Sequence, residues 1–317
     1  MKDIALKRGI NLGGWMSQCD YSRERLDGFI REDDIEKIAS WGMDHIRLPI
    51  DYNVIQNDDG SMKEEGLERV DAAAAWAEKY GLMILLDLHK TMGYSFDKGE
   101  NEAGFFADGR LQDSFYRIWE ALAGRYASKP DRVYFELLNE VNDRSDIEAW
   151  NRISRECIKR IRQYAKDNVI LIGSYEGNSA KAVPDLDPPY DDKVVYNFHC
   201  YEPLRFTHQG ATWIDDEFPS LRVAFKDSGT SEAFFEELFT PAIEKAKKEG
   251  TCLYCGEYGV IDVASPEDTV KWYRMIHSVF KKYGIGHAAW SYREMDFGLS
   301  DARMDGVRDE LLDILRS

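Results

Sequence analysis

Short apolar runs alternate along this chain with longer stretches in which apolar residues recur at helical spacing. Eight runs read as strands: Gly9–Trp15, His45–Ile50, Met83–His89, Val133–Glu140, Val169–Ser174, Val194–Tyr201, Cys252–Gly259 and Gly286–Tyr292. Helical patterning falls at Asp33–Trp41, Leu67–Tyr80, Gln112–Ala127, Asp146–Lys166, Glu232–Lys248 and Pro266–Tyr283, with a last amphipathic turn at Val307–Leu315. Several of these stretches stop at a glycine, as at Gly42 and Gly81, where a left-handed residue can close a helix.

Strand and helix in strict alternation specify a parallel α/β sheet. Eight strands with seven connections fit a (β/α)8 TIM barrel, and residues 1–317 read as one such domain. An open doubly wound sheet would carry a glycine-rich phosphate turn after its first strand. The turn here, Asn11-Leu12-Gly13-Gly14-Trp15, lacks that spacing. One connection is out of scale. Residues 202–229, after the sixth strand, are expected to be a long insertion or small subdomain on the catalytic face, holding Phe206, His208, Trp213, Phe218 and Phe225.

Charge narrows the partners. There are 58 acidic against 41 basic residues, a net charge of −17, which repels nucleic acid and anionic membrane and suits a neutral substrate. No run approaches about 18 apolar residues, so no membrane span is expected. The opening MKDIALKRGINLGGW lacks an apolar run of signal length, which reads as cytoplasmic, or as an extracellular mature form given a new Met. Five cysteines at irregular spacing do not make a disulfide framework. Cys252 and Cys255, three apart on a strand, point to opposite faces and read as buried thiols rather than a zinc pair. A monomer without metal or other cofactor is expected.

The chemistry collects where each strand turns polar at its C-terminal end, the face on which barrels build active sites. Arg47, Asp87, His89, Asn139, Glu140, His199, Tyr201, Glu257 and Trp290 all lie there. A lone glutamate in such a place is an ordinary salt-bridge partner. Two of them, with an arginine, two histidines and an asparagine on other strand ends, match glycosidic cleavage, which needs one protonated and one ionised carboxyl. Arg47 would keep Glu257 charged. Neighbouring negative charge would keep Glu140 protonated, with His199 or Tyr201 as its hydrogen-bond partner. Asn139 is placed to meet a sugar 2-hydroxyl, and Trp290 offers a face to a pyranose ring. A carboxyl separation near ~5.5 Å would accompany retention of configuration.

This set of segments, GINLGGW, HIRLP, LDLH, FELLNE, YNFHCY, CGEYGV and AAWSY, resembles glycoside hydrolase family 5 of clan A over almost the whole chain. Within it, the likeness is greatest to clostridial endoglucanases of the cellulase C type, through GINLGGW, FTHQ at Phe206–Gln209 and LYCGE at Leu253–Glu257. The resemblance implies Glu140 as general acid/base and Glu257 as nucleophile, with Arg47, His89, Asn139, His199, Tyr201 and Trp290 around them. It implies an endo-β-1,4-glucanase acting on β-linked oligo- or polysaccharide. β-Mannanase, glucomannanase or exo-β-glucanase action with the same machinery is the alternative. Val141 follows the acid/base where many members have proline, and the insertion is short for the cellulase C type.

Other residues divide between packing and binding. A divalent metal on His89, Asp87, His199 and the two glutamates is the remote reading, since the first strand lacks the H-x-H pair of barrel amidohydrolases. Asp87 either orients Arg47 or completes a buried network. His208 and Trp213 could contact sugar or pack the insertion's own core. Trp15, just past the first strand, is a sugar-platform candidate, with Tyr94 and Phe96 weaker ones. His45, His277, His287 and the helical Trp41, Trp76, Trp119, Trp150 and Trp272 are expected to pack.

Overall fold

The apolar runs pair side by side in chain order. In the computed structural model, which describes residues 1, 3–97 and 102–317, the sheet closes on itself as a parallel barrel, the last strand returning to the first. Its strands are β1 (Arg8–Asn11), β2 (His45–Asp51), β3 (Met83–Lys90), β4 (Val133–Glu136), β5 (Ile170–Ile172), β6 (Val194–Cys200), β7 (Leu253–Tyr258) and β8 (Gly286–Ala289). Around it lie α1 (Glu32–Ser40), α2 (Glu64–Lys79), α3 (Gly109–Tyr126), α4 (Ile147–Ile161), α5 (Glu232–Glu249), α6 (Pro266–Tyr283) and α7 (Arg308–Arg316). The architecture is the TIM barrel expected from the alternating pattern. Among the described residues, no helix is long and apolar enough to cross a membrane.

The helix ends follow their residues. Ser231 and Ser265 accept from the amides of Phe234 and Asp268, and left-handed Gly250 and Gly284 close α5 and α6. No long helix joins β5 to β6. A left-handed turn at 176–178 and a 3-10 segment, Ala180–Asp185, stand in its place.

Several strands are shorter than their apolar runs. β4 ends at Glu136 and β8 at Ala289, so Asn139, Glu140 and Trp290 lie beyond the sheet rather than in it. The ladder does not stop abruptly: Leu137 N–H still donates to Leu171 and Asn139 N–H to Leu88. As the strands splay at the rim, consecutive amides turn to different neighbours and regular pairing ends. β1 likewise ends well before Trp15, with Gly14 in the left-handed region (φ 73°).

Inside the barrel the layers change character upward. Leu6, Leu85, Tyr134, Leu171, Val195, Cys252, Tyr254 and Ala288 form an apolar floor. Two residues further along each strand come Asp87, Glu136 and Asn197, all fully buried. β7 breaks this alternation through a register shift against β6, where Phe198 faces Cys255 but His199 faces Glu257. The extra residue, Gly256, lets both Tyr254 and Glu257 point inward. A Cβ on Gly256 would come within 2.9 Å of Asn197 Oδ1 and 3.0 Å of His199 Nε2, so only glycine fits. Cys252 and Cys255 fall on opposite sides of β7, in the inner and outer apolar clusters.

Residues 201–231 join β6 to α5 through a short helix, Leu204–Thr207, and 3-10 turns at Phe218–Ser220 and Phe225–Asp227. Buried Gln209 laces this segment together, donating to Phe206 and Val223 carbonyls and accepting from the Val223 amide. Phe206 packs edge-on against Phe225.

Candidate active site

Arg47, on β2 and wholly buried, is the hub. Its Nε and Nη2 donate to the two oxygens of Glu136 at 2.7 and 2.8 Å. Nη1 donates to Glu257 Oε1 at 2.7 Å and to Asn11 Oδ1 at 2.9 Å. Nη2 also reaches Asn139 Oδ1 at 2.9 Å and Asp87 Oδ2 at 3.0 Å. A guanidinium presents five donors in a rigid fork, so Arg47 ties together five residues from four strands: Asn11 of β1, Asp87 of β3, Glu136 and Asn139 of β4 and its extension, and Glu257 of β7. Both readings of Asp87 hold: it faces Arg47 and also His89 Nδ1, at 2.5 Å. Burial pushes its carboxyl up to about 7, against the pull of Arg47.

Glu257 is held at both oxygens. Arg47 takes Oε1, and the Tyr201 hydroxyl donates to Oε2 at 2.9 Å. Glu140 is placed differently. His199 Nδ1 lies 2.8 Å from its Oε1, and among the described residues no lysine or arginine bonds to it. Its carboxyl is pushed up to about 8, first by burial and then by Asp97, Glu136 and Glu202. Neighbouring charge therefore acts as expected from the sequence, but behind desolvation. Of the two partners considered for Glu140, His199 bonds it and Tyr201 goes to Glu257. Burial holds the His199 imidazole down to about 4, hence neutral. The main chain of Glu140 is fixed from behind, its carbonyl accepting from Tyr94 O–H at 2.5 Å.

An oxygen of Glu140 and one of Glu257 come within 4.8 Å of each other, with a His199 nitrogen in the same span. Such a triad could be offered to a metal. Here both Glu257 oxygens are already bonded, and the Arg47 guanidinium 2.7 Å away would oppose a second cation.

The aromatic expectations separate. Trp290 stacks parallel to His89 with ring centroids 5.9 Å apart, and Phe96 meets His89 edge-on. His208 lies 5.0 Å from Tyr201, and Trp213, 51% exposed, packs its ring edge-on to His208. Trp15 does not join them. It is 2% exposed, stacks on Trp76, and spends its indole N–H on the Leu26 carbonyl. With its ring stacked on Trp76 and its N–H spent on Leu26, Trp15 packs a helix interface and does not serve as the platform expected of it. Tyr94 is also buried and engaged with Glu140 and Asn142, so it is a brace and not a platform. His45 packs as expected, bonded to Asp44 and to Tyr254 O–H. His277 and His287 pack against each other, 4.5 Å between centroids.

Sequence reasoning passed over Glu136, Asn11 and Asn197. Asn197 donates to Glu136 Oε1 at 2.8 Å and accepts from Gly256 N–H, while Asn11 donates to the Gly256 carbonyl. The signal for Glu136 was present. A charge in the middle of VYFELL cannot face helices, so it must face a buried partner. Asn178, beside His199 Nε2 at 3.4 Å, carried no such signal, because it belongs to no strand.

Comparison with known proteins bears on this geometry. A family model described as cellulase (glycosyl hydrolase family 5) matches residues 7–296. Cellodextrinase A of Ruminococcus flavefaciens is 54% identical over 318 residues, covering 100% of this chain and 95% of the relative. Endoglucanase C of Acetivibrio thermocellus is 38% identical over 339 residues, 98% of each chain. The Thermotoga maritima Cel5A structure with cellobiose superimposes with a TM-score of 0.81 at 25% identity, covering 98% of this chain and 97% of that one.

Proposed function

The chain belongs to glycosyl hydrolase family 5, and from that premise we propose that it is a retaining β-1,4-glucanase cleaving cellodextrin chains internally, with Glu257 as nucleophile and Glu140 as acid and base. β-Glucan hydrolysis comes with the family and its named relatives. The observation that carries the finer reading is the carboxyl pair: oxygens within 4.8 Å, one residue in a cationic and hydroxylic grip, the other partly buried beside a neutral imidazole. Inverting enzymes need about 6.5–9.5 Å to admit a water between the carboxyls.

In the first step Glu257 attacks the anomeric carbon as the glycosidic C–O bond breaks. Glu140 gives its proton to the departing oxygen. Glu257 and the sugar are then joined as an ester, and Glu140, now anionic, takes a proton from the water that hydrolyses it. Asn139 has its amide oxygen pinned by Arg47, and its N–H2 is without a partner among the described residues. That donor is the group offered to the 2-hydroxyl, where a hydrogen bond strengthens in the transition state. Trp290, backed by His89, supplies the sugar-stacking face. We assign residues 202–229 as an insertion bordering the leaving-group side, with His208 bracing Tyr201 and Trp213 exposed toward solvent.

The test is hydrolysis of cellodextrins, β-glucans and mannans by wild type, Glu140→Ala and Glu257→Ala, each with and without EDTA. Wild type should cut reduced cellopentaose at inner bonds, release the β-anomer first by NMR, and ignore EDTA. Both variants should lose at least about 10²-fold, with azide restoring one of them. Full turnover by either variant, or release of the α-anomer, overturns the assignment. A mannan preference would favour the second reading, for which the Thermotoga maritima Cel5A complex with mannotriose is the precedent.

A further inference from the structure

Behind the acid/base residue lies a side chain that the mechanism above does not use. Asn178 is fully buried and sits in a turn where Glu176 (φ 53°), Gly177 (φ 62°) and Asn178 (φ 57°) are all left-handed. Two backbone bonds tie this turn to the residues following Glu140: Glu176 N–H to Asn142 and Gly177 N–H to Val141. Gly177 passes so close that a Cβ there would lie 3.5 Å from the Glu140 carboxyl. The Asn178 amide rests over Gly173, where any Cβ would come within 2.1 Å of its oxygen. From that seat Nδ2 faces His199 Nε2 at 3.4 Å, while Oδ1 has no partner. A strained turn and a forgone hydrogen bond both serve to hold an amide against the far side of the histidine.

An imidazole with a neutral ring has one donor and one acceptor nitrogen, and the partner of one decides the role of the other. An amide N–H2 facing Nε2 makes Nε2 the acceptor. The hydrogen is then on Nδ1, pointing at Glu140 Oε1 (2.8 Å) with Glu257 Oε2 at 3.7 Å. We propose that Asn178 is a positioning residue: it selects the Nδ1–H tautomer of His199 and so keeps the acid proton of Glu140 on Oε2. That oxygen, which His199 does not hold, is the one left to protonate the glycosidic oxygen. In the opposite tautomer Nδ1 would be an acceptor, and the Glu140 proton would sit on Oε1, bonded to the ring and turned from the substrate. During cleavage the Oε2–H bond breaks, the proton joins the leaving oxygen, and the electron pair of the glycosidic bond goes with that oxygen. The new Glu140 anion meets Nδ1–H already in place, ready for its base role. This inference rests on the role proposed for Glu140.

Asn178→Asp reverses the pairing, since a carboxylate there accepts from Nε2–H. Cleavage that needs acid help should suffer and cleavage that does not should survive. On cellotetraose, kcat/KM should fall by about 10²-fold. On 2,4-dinitrophenyl β-cellobioside, whose leaving group departs without a proton, kcat/KM reports only the first step and should hold within about twofold. The alkaline limb of the pH profile should also move upward, because the protonated form of Glu140 gains an acceptor. Among the described residues, the other titratable groups facing Glu140 are Arg47 from β2, Asp87 on β3, Tyr94 and Asp97 after β3, Glu136 on β4, Tyr201 and Glu202 after β6 and Glu257 on β7, and the variant leaves them unchanged. Equal losses on both substrates with the limb unmoved would mark a merely structural residue and overturn the proposal.

Wild type supplies a measurement that no folding defect can spoil. In imidazole-15N-labelled protein, long-range 1H–15N correlations assigned with His199→Gln should show the hydrogen on Nδ1. A hydrogen on Nε2 overturns the proposal. Glu140→Ala separates the two levels: if it shows the leaving-group-selective loss and Asn178→Asp does not, only Asn178 falls. If Glu140→Ala shows none, the acid/base assignment itself fails.

Discussion

Arg47 grips Glu136 through two N–H groups, at 2.7 and 2.8 Å, and gives Glu257 only one, at 2.7 Å. The two-pronged grip goes to a carboxylate that is wholly buried beneath the rim. Glu136 thus anchors the guanidinium to the barrel, and the remaining Nη1 edge is presented to Glu257 and Asn11 in a fixed direction. Bidentate pairing adds geometry as well as energy.

Removing the hub should therefore cost folding as well as rate. In Arg47→Met, Glu136, Asp87 and Glu257 are left buried without their common cation. The expected loss is about 3–5 kcal/mol of stability by denaturant unfolding. Glu257→Gln keeps Arg47 paired with Glu136 and should lie within about 1 kcal/mol of wild type, while losing turnover.

The rate should fall on the alkaline side through a group near pH 8. In the role proposed for it, Glu140 must be protonated to act as an acid, and its carboxyl is pushed up to about 8. Below that pH the proton is in place; above it, kcat/KM should drop about tenfold per unit. On 2,4-dinitrophenyl β-cellobioside, whose departure needs no acid, wild-type kcat/KM should lack this limb.

Stability should peak near neutrality. Burial holds His89, His199, His208 and His287 down to about 4, below the ordinary value of 6.5. The unfolded chain therefore binds more protons between those values. The rings' contribution is full above about 6.5 and is lost as pH falls toward 4, each at no more than about 1.4 kcal/mol per unit. Asp87 and Glu140, raised to about 7 and about 8, act in the opposite sense. They weaken folding as pH rises from the unfolded carboxyl values toward their own. Urea midpoints across pH 4–9 should show a maximum between the two trends, and His208→Gln should flatten the acid side.

Two tryptophans should part company under mutation. Trp15→Ala empties a core position and should cost about 3–5 kcal/mol, leaving KM of the folded fraction unchanged. Trp290→Ala should raise KM for cellotetraose about tenfold, or about 1.4 kcal/mol of stacking.

Alternation of apolar strand and amphipathic helix was enough to specify the barrel, because a period of two and a period near 3.6 bury different faces. The polar turn at each strand end was enough to collect Arg47, His89, Glu140, His199, Tyr201, Glu257 and Trp290 on one rim, since parallel strands bring all their C-terminal ends together. What lay outside the linear pattern depended on contacts across the barrel. Trp15 occupies a rim position in sequence, and only the packing of Trp76 and the carbonyl of Leu26 turn it inward. Glu136 looks solitary along the chain and gains meaning from Arg47, 89 residues away. The shift at Gly256 that brings Glu257 to the inner face, and the turn that sets Asn178 behind His199, are matters of register and backbone hand. Periodicity decides which face a residue belongs to. Which partner it finds there is decided by the closure of the sheet, through distances that no local pattern encodes.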